Sequence, residues 1–563
     1  MSSNQRPQVN VGAGSLREAD EDKFTVNEGW SFFQQYLPDN SVIDSEDFSY
    51  NLSGIDGNGP YIVSIPAMPE CFLDPSSLRL RGTCRIKHVK NNAKQEALPK
   101  RTTTVVDPFR EKEFYMTQKT LTDTQKKAEA GKTSKALVDA KILPVVNVDI
   151  YTDPTAPKFK GDFFEFHYDN HKNPITDQTK VVPINLMCQA MWKDVEIKLN
   201  SNTVTRNTNL EYAMKAYLET VLTYGNDALD THLQAEMWCP DDLEDIKSAD
   251  YLTKYNEKKS FERKRKKFAN NNDFSFVMQL HTEFNSINGF IVDNMPYTFT
   301  FVRNDPKFFL RTNSTDTGCD GGEYTVDFSE LKLTGKFMKP SAEVLKAYRT
   351  WLAREEEAVY QTTRTDIRTD QMLKGQKSHD WNNIFASDNL PDMIYVCMVD
   401  ADAKNGDYGK DPYHFDHFGV SNIYMRVNNK TFPLEPLKPN WTGDNYLRTY
   451  KHLYENCSVK LNNIGLSITP ERFKHGTTIF AWDLNHDNCG GAHANHSELK
   501  GSASLHMVFD KPNGLDKNAT VIVAGVYRDY LAIDVWRRPN VLTSYGVAKL
   551  YQERGLPPPK FPQ

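Results

Sequence analysis

Period-2 alternation is the commonest ordered pattern along the chain. Leu78, Leu80, Cys84 and Ile86 alternate with Arg79, Arg81, Arg85 and Lys87, which puts one face of a strand in a core and the other in water. Val195, Ile197 and Leu199 alternate with Glu196 and Lys198, and Asn200-Ser201-Asn202 supplies turn chemistry before Val204, so a hairpin is predicted. Near the other end, Val521 to Val526 and Leu531 to Val535 read as two β-branched strands bounded by polar turns. Helical spacing is rarer. One amphipathic segment follows Asn209, with Leu210, Ala213, Met214, Tyr217, Leu218, Val221 and Leu222 on one face and Gly225 as its stop. A second follows Pro340-Ser341, with Val344, Leu345, Tyr348, Trp351, Leu352 and Val359. A third follows Asp444, with Tyr446, Leu447, Tyr450, Leu453 and Tyr454. All three are expected to cover cores.

The hairpin at Val195 to Val204 and the helix after Asn209 recur in outline as a hairpin at Ile423 to Phe432 and the helix after Asp444. Two copies of a β-rich unit with one inserted helix predict an all-β fold of two tandem eight-stranded jelly rolls. The expected organisation is an N-terminal arm over 1–44, a first jelly roll over 45–315, a second over 316–543 and a tail over 544–563. A polar surface insertion rich in Lys, Thr and Gln occupies 88–140, with a short helical piece near Lys126 to Val138. Pro557, Pro558, Pro559 and Pro562 predict that the tail is an extended contact arm or else disordered.

Composition narrows the classes. The 563 residues carry a net charge of -6 and are 39% hydrophobic, and no apolar run approaches the roughly 18 residues a spanning helix needs. Met1 to Trp30 lack the basic and apolar regions of a secretory signal. Eight scattered cysteines without a CxxC pair point to reduced thiols in cytosol or nucleus, where sequons such as Asn51, Asn313 and Asn440 carry no glycan. Mild acidity argues against coating nucleic acid over the whole surface.

Four segments carry candidate chemistry. Ala130-Gly131-Lys132-Thr133 has the ending of a phosphate loop, but position 126 is Lys126 where that loop requires glycine, so no nucleotide site is expected. His414 and Asp416 form an H-x-D pair that could hold iron with a distal His475 or His493, the arrangement of a jelly-roll oxygenase; an aromatic-rich approach to the next strand explains the run equally well. His486, Cys489, His493 and His496 supply four zinc-competent donors, but flanking strands already pin both ends of the loop, so no metal is expected there. Lys258, Lys259, Arg263, Lys264, Arg265, Lys266 and Lys267, against the single acid Glu262, predict an exposed loop for nuclear import or polyanion contact, or else a plain solvated one. No hydrolytic constellation stands out.

The run Val182-Pro183-Ile184-Asn185-Leu186, Trp192 to Asn200 and Tyr212 to Gly225 resembles the double jelly-roll major capsid proteins of Polinton (Maverick) elements and adintoviruses. So do Asn405 to Tyr424, Pro436 to Tyr450, and Ala519 to Asp534. The resemblance runs in blocks from Phe48 to Val541; the 88–140 insertion, the tail and the full His/Cys loop have no counterpart in it. It implies a homotrimeric, hexon-like subunit of an icosahedral virion shell around double-stranded DNA. Neighbouring trimers and penton or minor capsid proteins would be its partners, DNA would be contacted indirectly, and it would have no cofactor and no catalysis. Assembly would pass through host cytoplasm and nucleus. A penton protein is the alternative within that class, although one sandwich suffices there; the His414/Asp416 oxygenase is the alternative from another.

Overall fold

The computed structural model describes residues 41–54, 59–89, 181–205, 211–269, 273–312, 323–354, 357–387, 389–443, 445–457, 465–485 and 499–543, with strand backbone at 104–107, 112–120, 162–168 and 172–174. Alternating sequence becomes alternating burial: Leu78, Leu80, Cys84 and Ile86 are fully buried while the intervening basic residues face outward. Eight such strands build the first unit: β1 (Val42–Asn51), β2 (Tyr61–Ile65), β3 (Phe72–Val89), β4 (Trp192–Leu199), β5 (Asn202–Thr203), β6 (Phe274–Gln279), β7 (Tyr297–Arg303) and β8 (Glu323–Pro340). The second has β9 (Ala358–Met372), β10 (Ser378–Ser387), β11 (Met393–Asp400), β12 (Val420–Val427), β13 (Lys430–Leu437), β14 (Ile479–Asp483), β15 (Gly501–Phe509) and β16 (Ala519–Ile533), and β17 (Pro539–Thr543) extends one sheet along β16.

Sheet order is the same in both units. The first pairs β1-β8-β3-β6 in one sheet and β2-β7-β4-β5 in the other; the second pairs β9-β16-β11-β14 and β10-β15-β12-β13. Each strand of the first unit thus has its equivalent eight strands later, and each unit is a jelly roll. The turns agree as well. Asn200 and Ser201 in the β4-β5 turn, and Asn428 and Asn429 in the β12-β13 turn, all have positive φ, between 45° and 69°. That is the twist a two-residue hairpin needs, and asparagine tolerates it better than bulkier residues. Helix α1 (Tyr212–Thr223) follows the first hairpin, and α4 (Leu447–Asn456) follows the second.

Several expectations are corrected. Strand β8 lies at 323–340 yet hydrogen-bonds between β1 and β3, so the first jelly roll extends to 340, past the expected boundary at 315. Local pattern marks β8 as a strand; only its long-range pairing says which unit it completes. The helix after Pro340-Ser341 is α3 (Ala342–Leu352), with the Ser341 side chain accepting from Val344 N, but it buries no residue and stops before Val359. Val359 lies in β9, where β-branched and threonine side chains favour pairing with β16. Val521 to Val526 and Leu531 to Val535 are not two strands: β16 is continuous to Ile533, because Asp529 is buried as the partner of Arg364 (2.6 Å) and no turn is needed. The 88–140 insertion contributes strands at 104–107 and 112–120, which pair with each other, and 112–120 also pairs with 162–168 to complete a small separate sheet. Its helical piece, the Gly131 segment, the arm before 41 and the tail after 552 lie outside the described residues.

The core is aromatic where the sheets face each other: Trp192 stacks on Phe328 at 5.8 Å and meets Tyr61 edge-on. Cys71, Cys84, Cys188, Cys239, Cys397 and Cys457 are free thiols. Gly82 on β3 lets β8 approach, since a Cβ there would sit 2.5 Å from the Glu330 carbonyl oxygen. Gly82→Ala is therefore expected to lower stability by about 1–3 kcal/mol. Gly59→Ala, at a position with nothing within 4 Å, should leave it nearly unchanged; urea denaturation of the two variants checks this.

Candidate functional site: the seam between the two jelly rolls

Asp241 is the centre of the upper seam. Its carboxylate is buried and takes Lys264 Nζ (2.7 Å) and Tyr255 Oη (3.0 Å) on Oδ1, with Tyr251 Oη (2.7 Å) and Arg311 Nη1 (3.2 Å) on Oδ2. Arg311 follows the apolar run Phe308-Phe309-Leu310 in a two-residue strand paired with Val182–Pro183. Its guanidinium lies 3.6 Å from the Tyr255 ring centroid and 4.5 Å from that of Tyr251, in the corner between two perpendicular rings, and these cation–π contacts favour the charge where water is excluded. Lys264 comes from α2 (Lys259–Ala269), whose Phe261 and Phe268 are buried.

From this cluster the first jelly roll reaches the second. Arg311 Nη1 lies 3.9 Å from Asp411 Oδ2, Arg472 Nη2 donates to the Asp241 carbonyl (3.1 Å), and Lys404 pairs with Glu211 (2.6 Å). Tyr217 of α1 stacks face to face on Tyr413, with centroids 3.9 Å apart. Lower down, Thr365 Oγ1 donates to Glu219 of α1 (3.0 Å), Thr363 N to Ser286 Oγ (3.0 Å), and Tyr360 Oη to the Phe290 carbonyl (3.0 Å). At the base, Asp293 accepts from Arg537 Nη2 (2.5 Å), Tyr348 Oη (2.7 Å) and Glu70 N (2.9 Å). α3, which supplies Tyr348, is therefore a strap across the joint. Those that cross from one unit to the other, Arg311–Asp411, Arg472–Asp241, Lys404–Glu211 and Arg537–Asp293 among them, hold the two units together.

Burial alone would push the Asp241 carboxyl up, but Lys264 and Arg311 outweigh it and hold the group down at about 2. Burial keeps His417 neutral, pushed down to about 4, where it stacks on Trp441 at 4.2 Å and accepts from Gly419 N; burial likewise pushes His452 down to about 4.

The sequence candidates are placed as follows. Lys258 to Lys267 is not an exposed loop. Lys259 onward is helix α2, because lysine, arginine and glutamate are good helix formers and the two phenylalanines seven residues apart share its buried face. Lys258 pairs with Asp250, Arg263 with Asp242 and Lys266 with Glu262, while Lys264 is buried on Asp241. Lys259 and Lys267 are exposed, and Arg265 is half-buried. His414 packs its ring 5.7 Å from Tyr251, and Asp416 Oδ1 accepts from Phe418 N (3.3 Å), so both have structural work at the seam. Among the described residues no group of three His, Cys, Asp or Glu is placed to hold a metal. His486, Cys489, His493 and His496 lie outside the described residues. Asp241, Arg311, Asp293 and Arg537 were not legible as a site. A lone arginine ending an apolar run was the one local signal.

No protein-family model matches the chain. An uncharacterised protein of Caenorhabditis elegans is 24% identical over 387 residues, 66% of this chain and 84% of that protein. Among solved structures, a chain of the Sputnik virophage, determined by cryo-EM, superposes with a TM-score of 0.53 at 11% identity, covering 97% of this chain and 94% of that one. A chain of the PBCV-1 virus capsid aligns at 0.46 and 8% identity (91% and 99% covered), and the mavirus major capsid protein at 0.43 and 10% (99% and 100%). The first of these agrees with the fold read from sheet order.

Asp241→Ala would leave Lys264 and Arg311 buried without their carboxylate, a loss of about 3–5 kcal/mol. Arg263→Ala, on the exposed side of α2, should cost under about 1 kcal/mol; chemical denaturation compares the two. Because the folded chain holds Asp241 below the ordinary 3.8, its contribution is complete above about pH 4 and is lost as pH falls toward 2. His417 and His452 bind protons more weakly folded than unfolded, so their contribution is complete above 6.5 and declines as pH falls toward 4. Melting temperature should follow that two-step decline, with a shallower first step in His417→Phe.

Proposed function

We propose that the protein is a major capsid protein of the Polinton (Maverick)/adintovirus type, a structural subunit without catalysis. Homotrimers of hexagonal outline would tile an icosahedral shell around double-stranded DNA. The observation that carries the reading is two jelly rolls of identical sheet order held at a fixed angle by a buried polar seam. A subunit with two equivalent lobes gives a three-fold ring six of them, which suits a hexagonal lattice position. The Sputnik likeness and the sequence blocks from Phe48 to Val541 support it.

The proposed division is an arm before Val42, a first jelly roll over 42–340, a strap over 341–357, a second jelly roll over 358–543 and a tail beyond. The arm and tail would reach neighbouring trimers, penton or minor capsid proteins would fill the vertices, and the protein would pass through host cytoplasm and nucleus into the virion. The exposed side chains of Lys259 and Lys267 are the part of the basic segment assigned to import or polyanion contact. Expression followed by sedimentation and electron microscopy tests the reading: a particle of about three times 64.5 kDa, or shells built from it, is expected. A monomer at micromolar concentration would overturn it. Replacing Lys259 and Lys267 by serine, with Lys264 left in place, should reduce nuclear accumulation or shell yield while the melting temperature stays unchanged.

A further inference from the structure

A cleft opens where the end of β7, the start of β8 and the loop between β11 and β12 come together. Arg303 and Lys307 line one side, Tyr324 and Thr325 of β8 another, and Tyr408 of the second jelly roll a third. Its volume of about 330 Å³ lies at the lower end of the range of small-molecule sites. Backbone contacts hold the wall in place. Thr312 N donates to the Tyr408 carbonyl (2.7 Å) and Tyr324 N to Tyr408 Oη (3.2 Å). The Lys307 stem runs against Gly406, where an added Cβ would meet it at 3.4 Å.

The cations of this cleft lack anions. Arg303 is half-buried, yet among the described residues it meets no carboxylate: Nη1 donates to Tyr61 Oη (3.4 Å), Nη2 to the Val326 carbonyl, and the guanidinium stands 5.6 Å from the Phe328 ring centroid. By contrast, Arg311, Arg364 and Arg537 meet Asp241, Asp529 and Asp293. Arg303 Nε and the Thr325 hydroxyl are both shielded from bulk water and neither has a hydrogen-bond partner, so the floor of the cleft is polar and unsatisfied. Lys307 is exposed and has no ion pair among the described residues. The one acid on the rim, Asp305, already accepts from Lys307 N (2.8 Å) on Oδ1. Two cations, an unbonded hydroxyl and an aromatic wall are the groups that recognise an oxyanion attached to a compact body.

We infer that this cleft binds a small organic anion, a carboxylate or a phosphate ester of about monosaccharide size. Its charge takes the Lys307 ammonium and gives Arg303 a counter-charge, while its uncharged body rests against Tyr408. Arg303 belongs to the first jelly roll and Tyr408 to the second, so the ligand bridges the joint and stabilises the folded chain. The site is complete within one chain and is independent of the proposed self-assembly.

Calorimetric titration of the full chain with glucuronate and with glucose 6-phosphate tests it, with glucose as the neutral control. At least one of the two anions should bind, at one per chain, and the tighter of them tells carboxylate from phosphate. Glucose should bind more weakly by about tenfold or more, and a saturating anion should raise the melting temperature. Lys307→Ala, at an exposed position, should leave the melting temperature of the free protein unchanged and weaken anion binding by about tenfold, whereas Lys307→Arg should retain it. Lys346→Ala, which removes an exposed lysine of α3, should bind like the wild type. If neither anion binds, if glucose binds as tightly, or if Lys346→Ala weakens binding as much as Lys307→Ala, the inference is overturned, and the capsid reading is untouched by any of these results.

Discussion

A buried carboxylate with two buried cations organises this molecule. Asp241 lies in a connection of the first jelly roll, Lys264 in the helix that follows and Arg311 at the end of an apolar run, so that one charge fastens three segments. Removed from water, none of the three is tolerable without the others, and the two perpendicular tyrosine rings beside Arg311 add to its support. Since Arg311 also faces Asp411 and the Asp241 carbonyl accepts from Arg472, the same charge that holds α2 down sets where the second jelly roll sits.

The lower seam works by the same physics with different residues. Asp293 gathers Arg537, Tyr348 and Glu70 N, drawing on a loop of the first unit, the strap α3 and the chain after β16. Polar joints of this kind are directional. Apolar packing alone would tolerate a range of angles between the units, whereas hydrogen bonds at both ends of the seam select one.

The two units share sheet order and hairpin chemistry, but equivalent elements differ in exposure. α1 is enclosed, packing on Met187–Ala190 and on β4 of its own unit, whereas α4 buries only Thr449 and Leu453. Strand β9 is half-buried along its length, whereas Ile43 to Asp47 of β1 are exposed. One hydrophobic core nevertheless runs through both units.

Much of the fold was legible in the sequence because its determinants are local. Period-2 burial in β3 and β4, the Asn200-Ser201 and Asn428-Asn429 turns and the Ser341 cap each depend on residues a few positions apart, and the β4 segment Trp192 to Asn200 is also one of the blocks that resemble double jelly-roll proteins. What local pattern could not decide was partnership. β8 belongs to the first unit because it pairs with β3, roughly 250 residues earlier, and Arg537 meets Asp293 across 244 residues. The basic run Lys258 to Lys267 has the composition of a solvated segment. It became a helix with a buried lysine because Asp241, Arg311 and two phenylalanine contacts wait for it in three dimensions. Alternation and turn chemistry act through the chain's own steric and hydration preferences, so sequence alone determined the strands, the hairpins and the two-fold repetition. The charge of a side chain states only that it requires a partner, and tertiary structure alone decided which one.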